Sequence, residues 1–183
     1  LAILFARFKE AVGIAILPAL RLTIRSTIPV AGGLGSGAAV SVAVVRALAG
    51  FLGCTLTNEQ VSALAYEVEK KHHGTPSGID NTVITYGQPI YFQRGQPFEL
   101  IHPGAPLTLV IADTGIKSNT ALAVGGVRQR WQAQPDHYEA LFERVGQIAA
   151  RARHLIEGGQ IQPLGSLMLE NHDLLREMDV SIP

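Results

Sequence analysis

Four glycines fall within six residues in the segment Pro29-Val30-Ala31-Gly32-Gly33-Leu34-Gly35-Ser36-Gly37-Ala38-Ala39. A run rich in alanine and valine follows, reaching Leu52. Glycines so placed let the backbone turn sharply and let a bulky group approach it closely. The preceding residues Leu20 to Ile28 alternate, with Leu22, Ile24 and Ser26 set against Arg21, Thr23, Arg25 and Thr27. That period predicts a half-buried strand ended by Pro29, then a glycine loop, then a buried helix over Ala38 to Leu52. The start of such a helix offers unpaired N–H groups and the positive end of a dipole, which together suit an anion. Ser36 adds a hydroxyl able to bond a phosphate or ligate a divalent cation.

Two other readings of this loop stand beside the phosphate one. No Gly-Lys-Ser/Thr follows, so it is not a Walker A loop, but Gly33-x-Gly35-x-x-Ala38 passes the dinucleotide fingerprint. That fingerprint needs a parallel βαβ unit with an acidic residue closing the next strand. Here a second helix follows instead, opened by the capping box Thr57-Asn58-Glu59-Gln60. The other alternative is a tight strand-to-helix turn without a ligand.

The helix after that box has an apolar stripe at Val61, Leu64, Ala65 and Val68 and runs to His72 or His73, where Gly74 stops it. Tyr66, Glu69 and His73 share one of its faces at i, i+3, i+7, while Glu67 and Lys71 are spaced for a surface ion pair. Gly74, Pro76 and Gly78 then fold the chain so that Asp80 returns toward the helix end. A carboxylate such as Glu69 suits Mg²⁺, which takes oxygen ligands and shares them with phosphates. A second, Asp80, suits the proton of an attacking hydroxyl, in a reaction that asks the protein mainly for positioning and charge neutralisation. The competing reading makes Asp80 an Asx-turn and the remaining charges solvated. A zinc site from Glu69, His72 and His73 is a further alternative, although adjacent helical histidines point about 100° apart.

Elsewhere, Leu1 to Ile16 predicts a helix with positions 4, 5, 8, 12 and 16 on one side. Ile90-Tyr91-Phe92 predicts a short strand, and Gly95 to Pro106 an irregular stretch. Leu107 to Ala112, a continuous apolar run, predicts a central strand. Helical patterns cover Thr120 to Gln132, Asp136 to Glu157 and Gln162 to Met178. The class is α+β, in two parts: residues 1–104, a nucleotide-binding part, and 105–183, the start of a second. Lys plus Arg and Asp plus Glu are balanced at 15 each, which gives no basic excess for nucleic acid or an acidic membrane surface. The apolar stretch from Ala38 to Gly53 is too short to span a bilayer and contains Arg46. Cys54 is the only cysteine, which excludes an internal disulfide and fits a reducing cytoplasm.

Together these segments resemble the GHMP kinases, the family of galactokinase, homoserine kinase, mevalonate kinase and phosphomevalonate kinase. Pro29-x-x-x-Gly33-Leu34-Gly35-Ser36-x-Ala38-Ala39 is similar to the family's ATP phosphate loop. Glu69-x-x-x-His73-Gly74-x-Pro76-Ser77-Gly78-x-Asp80-Asn81 is more specific and resembles the mevalonate kinase branch. Asp113-Thr114-Gly115, Thr120 to Arg128 and Glu170 to Leu175 are similar to later segments of that branch. The resemblance implies a ribosomal-protein-S5-like domain followed by a ferredoxin-like one. It implies ATP-dependent phosphorylation of the 5-hydroxyl of mevalonate in isoprenoid synthesis, with Mg²⁺, and leaves room for a homodimer. Asp80 falls on the catalytic aspartate and Glu69 on the Mg²⁺-binding glutamate, with Ser36 as a further metal ligand. Pro29, Gly32, Gly33, Leu34, Gly35, Ser36, Gly37, Ala38 and Ala39 fall on the phosphate loop, and His73, Gly74, Ser77 and Thr120 fall near the substrate.

Three departures accompany the likeness. Gly37 stands where relatives often carry a second, metal-binding serine. The family's N-terminal motif, with its lysine, and its C-terminal glycine-rich motif are both absent, which fits a fragment lacking both ends and inactive by itself. The alternatives are another GHMP kinase, acting on phosphomevalonate or at the 3-hydroxyl of mevalonate, or a chain that only binds nucleotide.

Overall fold

The computed structural model describes residues 1–29, 33–73, 76–112 and 120–181, without the side chains of His72, His73, Thr120 and Ala121. Two compact units result, Leu1–Gln88 with Phe92–Pro97, and Pro89–Tyr91 with Phe98–Pro183.

The first unit is built from α1 (Ala2–Val12), α2 (Ser36–Leu52), α3 (Asn58–His73) and α4 (Ile79–Tyr86). Helix α2 is apolar nearly all round and is the central element, packed on α3, α4 and α1. Its Val42, Val44, Val45, Leu48 and Ala49 meet Leu4 and Phe8 of α1 and the expected α3 stripe, Val61, Leu64, Ala65 and Val68. The capping box forms in both directions. The Gln60 N–H donates to Thr57 Oγ1 at 3.3 Å, and the Thr57 N–H donates to Gln60 Oε1 at 2.8 Å.

Helix α1 is shorter than its pattern predicts. It stops at Gly13, and Ile16 lies beyond it, 84% exposed. The alternation at Leu20 to Ile28 does not form a strand: the segment joins no ladder among the described residues, although Leu20 and Leu22 pack against the core. Side-chain alternation says which face is apolar, but a strand exists only through its neighbour's backbone.

The second unit pairs β1 (Ile90–Tyr91) with β2 (Glu99–Leu100), antiparallel, in the register Ile90↔Leu100 and Tyr91↔Glu99. Strand β2 falls in the stretch expected to be irregular. Three helices follow, α5 (Thr120–Ala133), α6 (Pro135–Glu157) and α7 (Leu164–Glu177), close to their expected limits. Pro135 opens α6 where its missing N–H costs nothing. Tyr138, Leu141 and Ile148 of α6 pack with Leu167, Leu174 and Met178. Arg130 of α5 closes this bundle, donating from Nε to the Tyr138 hydroxyl at 3.0 Å and from Nη2 to the Met178 carbonyl at 2.8 Å. Arg153 of α6 holds the hairpin with a fork to both Glu99 oxygens, at 3.1 and 2.8 Å, and lies over the Tyr91 ring.

The expected central strand at Leu107 to Ala112 is absent. Leu109, Val110 and Ile111 are 61, 93 and 74% exposed, and no described segment pairs with them. An apolar run is a central strand only when both its faces and both its edges are covered.

Candidate functional site

The glycine turn enters α2 earlier than expected. Helix α2 begins at Ser36, not Ala38, so Ser36 and Gly37 belong to its first turn. Gly35 is the residue before it, in the left-handed region at φ 65°, and makes no side-chain cap. The helix's own bonding starts with the Ala39 N–H on the Gly35 carbonyl at 2.9 Å. The N–H groups of Ser36, Gly37 and Ala38 therefore precede the first intrahelical bond, and the first turn carries no acidic side chain. That is a site whose local charge favours an anion. Pro29 and Leu34 are exposed and Ala38 is buried, while Gly32 lies outside the described residues.

Two carboxylates reach this turn from two different helices. Glu69, on α3, is 6% exposed, and a Cβ placed on Gly37 would stand 3.4 Å from its Oε1. Glu69, Ser36, Gly37 and Ser41 line one side of a cavity of about 320 Å³ whose other walls include Leu4, Val40 and Val68. The Ser41 hydroxyl donates back to the Gly37 carbonyl at 3.0 Å. Asp80, exposed in the first turn of α4, meets the turn at its other end. A Cβ on Gly35 would lie 3.8 Å from Asp80 Cβ and Cγ and 3.0 Å from Ile84 Cδ1. Gly35 is thus favoured as glycine by its φ, and a Cβ there would press on the end of the Ile84 side chain.

The loop into α4 is fixed from α3. The Tyr66 hydroxyl donates to the Pro76 carbonyl at 3.3 Å, and the rings of Tyr66 and Phe92 flank Gly78, which has φ 94°. The Ile79 N–H donates to Ser77 Oγ at 3.3 Å, so the Ser77 hydroxyl helps to start the helix. Glu67 pairs with Lys70, and with Arg7 at 3.7 Å, rather than with Lys71 as its spacing predicts. The side chains of His73 and Thr120, and Gly74 altogether, lie outside the described residues. Among the described residues no cluster of three metal-binding side chains occurs; the zinc alternative rests on His72 and His73, whose side chains lie outside them.

The sequence pattern missed α4, and with it the groups that seat it. Residues 79–86 contain five β-branched side chains and give little helical signal. The bracketing glycines 78 and 87, and Asn81 and Thr85 four apart, are the signals that point to it. Asn81 donates from Nδ2 to the Ser62 carbonyl at 3.2 Å and to Ser62 Oγ at 2.8 Å. Arg46 of α2 donates to the Thr85 carbonyl at 2.7 Å. Tyr86 donates to Glu59 Oε1 at 2.8 Å, and together with the Thr57 hydroxyl, the larger influence, it holds the Glu59 carboxyl below its usual range.

Residues 2–88 match the family model of the GHMP kinases N terminal domain. The mevalonate kinase of Pyrococcus horikoshii is 37% identical over 165 residues, covering 87% of this chain and 49% of its own length. That of Aeropyrum pernix is 34% identical over 176 residues, covering 96% of this chain and 54% of its own. Among solved structures, L. major mevalonate kinase in complex with R-mevalonate superposes with a TM-score of 0.74 at 29% identity, over 99% of this chain and 57% of that one. Mevalonate kinase from Staphylococcus aureus MRSA252 does so with a TM-score of 0.62 at 32% identity, over 100% and 57%. This chain therefore spans about half the length of the curated relatives it matches. The chain belongs to the GHMP kinase family.

Proposed function

We propose that these residues belong to an ATP-dependent kinase that phosphorylates the 5-hydroxyl of mevalonate. The observation that carries the reading is the meeting of Glu69 and Asp80 on the single turn Gly35 to Gly37. A phosphate chain laid on the open N–H groups of Ser36 to Ala38 has one carboxylate on each side. Glu69 is sheltered beside the cavity, while Asp80 is exposed where a second substrate can reach it.

Asp80 accepts the proton of the substrate hydroxyl as its oxygen bonds to the γ-phosphorus and ADP departs. Positioned bases of this kind contribute about 10²- to 10⁴-fold. The oxygen donors Glu69 and Ser36 fit Mg²⁺, and Gly37 brings no side-chain ligand of its own. When bound, the ion supplies charge neutralisation on the phosphates. The remaining loop positions, Pro29, Gly32, Gly33, Leu34 and Ala39, shape the turn. His73, Gly74, Ser77 and Thr120 are assigned to the substrate side by the family likeness. The family likeness also supports the S5-like and ferredoxin-like domain types, while the change of sequence pattern supports a boundary near Gly104 and the single Cys54 a cytoplasmic setting. No described helix is long and apolar enough to cross a membrane.

The test is Asp80→Asn in the full-length protein. Mevalonate-dependent ADP release falls by at least about a hundredfold, while ATP affinity is unchanged. Retained turnover removes Asp80 from this role. A panel of mevalonate, 5-phosphomevalonate and homoserine, with turnover confined to mevalonate, separates this substrate from those of related kinases, and 5-phosphomevalonate as product separates the 5- from the 3-hydroxyl. The 183-residue chain alone is expected to release no ADP.

A further inference from the structure

Helix α4 is short, and its two ends are held differently. At its far end Arg46 of α2 donates to the Thr85 carbonyl, and Tyr86 donates to Glu59 of α3. Two helices thus fix that end. At its near end, where Asp80 sits, Gly78 offers no side-chain cap, and Thr82 Oγ1 donates back to the Gly78 carbonyl at 2.7 Å, a bond internal to the turn. From the first turn of α4, Asn81 reaches across to α3 and bonds both acceptors of Ser62.

Asn81 is 4% exposed, and its Oδ1 is buried without a hydrogen-bond partner. Leaving a buried carbonyl without a hydrogen-bond partner is unfavourable. Leucine or alanine would avoid that cost in a helix packed on an apolar core. The amide donor is therefore present in spite of its own unpaired oxygen, and what it achieves is to fix the first turn of α4 on α3.

We propose that Asn81, through Ser62, is the positioning residue for Asp80. The inference rests on the kinase reading above. Five residues separate Asp80 from the fixed Thr85, about 7.5 Å of helix, so a tilt of only about 8° about the far end displaces Asp80 by about 1 Å. A displacement of that size can cost about a hundredfold in rate. The seat on Ser62 resists this tilt and keeps the carboxylate against Gly35.

The experiment measures kcat and KM for Asn81→Ala, Ser62→Ala and Ser62→Thr in the full-length protein, per folded enzyme as counted by nucleotide binding. The expected result is a fall in kcat of about ten- to hundredfold for Asn81→Ala, with KM for ATP and mevalonate unchanged. Ser62→Ala gives a smaller fall in the same direction, and Ser62→Thr, which keeps the hydroxyl, recovers most of it. Unchanged kcat in Asn81→Ala and Ser62→Ala, or a loss carried by KM, overturns the proposal. If Asn81→Ala does not fold, the Ser62 pair decides alone. Wild-type enzyme without mevalonate-dependent turnover, or active Asp80→Asn, brings down the kinase reading and this inference with it. Normal wild-type and Asp80→Asn behaviour with insensitive Asn81 and Ser62 variants brings down this inference only.

Discussion

Two apolar stretches of this chain look alike in hydropathy and end in opposite environments. Ser36–Leu52 is the buried centre of the first unit, with Val45 and Leu48 at 0 and 2% exposure. Leu107 to Ala112 carries Leu109, Val110 and Ile111 at the surface of the second. The first stretch satisfies its backbone internally as a helix and needs only side-chain neighbours, which α1, α3 and α4 supply. The second is too short for a helix and has no described strand beside it. Hydrophobicity sets a demand for burial; whether it is met depends on what the backbone can bond to.

That contrast can be broken at several points. The largest effect is expected from Leu48→Ala, which empties the middle of the first core and should destabilise that unit by about 2–5 kcal/mol in a denaturant titration. A loss below about 1 kcal/mol would mean that α2 is not the centre of its unit. Next comes Arg130→Met in the second unit, which strips the Tyr138 hydroxyl and the Met178 carbonyl of their shared donor. A loss of about 1–3 kcal/mol is expected there in a denaturant titration.

Gly37→Ser is a smaller change in the opposite direction. Its Cβ meets Glu69 Oε1 at ordinary contact distance, so a second hydroxyl fits beside the carboxylate. Tighter Mg²⁺ dependence of nucleotide binding, by a few-fold, is expected in a metal titration; weaker dependence would place the cation elsewhere. Val110→Ser should change stability by less than about 0.5 kcal/mol, and a larger loss would show that the exposed run is covered in solution. The faintest effect is in pH. The Arg153 guanidinium holds the exposed Glu99 carboxyl below its usual range. Its contribution is present above the ordinary carboxylate pKa and fades as pH falls through the depressed one. Glu99→Gln should flatten the acid limb of the second unit's stability curve slightly.

Much of the first unit was legible because its signals are local. The capping box needs only Thr57 and Gln60, and the α3 stripe needs only its own period. The glycine turn into a helix was legible from spacing alone, although α2 begins two residues earlier than its apolar run suggests. The strand expectations at Leu20 to Ile28 and Leu107 to Ala112 failed because a ladder requires a second backbone that no single segment encodes. Helix α4 escaped because β-branched Ile79, Thr82, Val83, Ile84 and Thr85 argue against helix locally, and its contacts with α2 and α3 override them. With α4 hidden, the motif still singled out Asp80, but nothing in the pattern pointed to the bonds of Asn81 with Ser62 or of Arg46 with Thr85.

A side chain at Gly35 would be strained by the positive φ and would press on the end of the Ile84 side chain, with Asp80 at ordinary contact distance. On the kinase reading proposed above, the turn that would bend around a phosphate is also the one that Asp80 approaches. Substitutions at 35 and 84 cannot be judged separately. Ile84→Ala opens the space that Gly35→Ala would fill, so the double variant should lose less than the sum of the two singles.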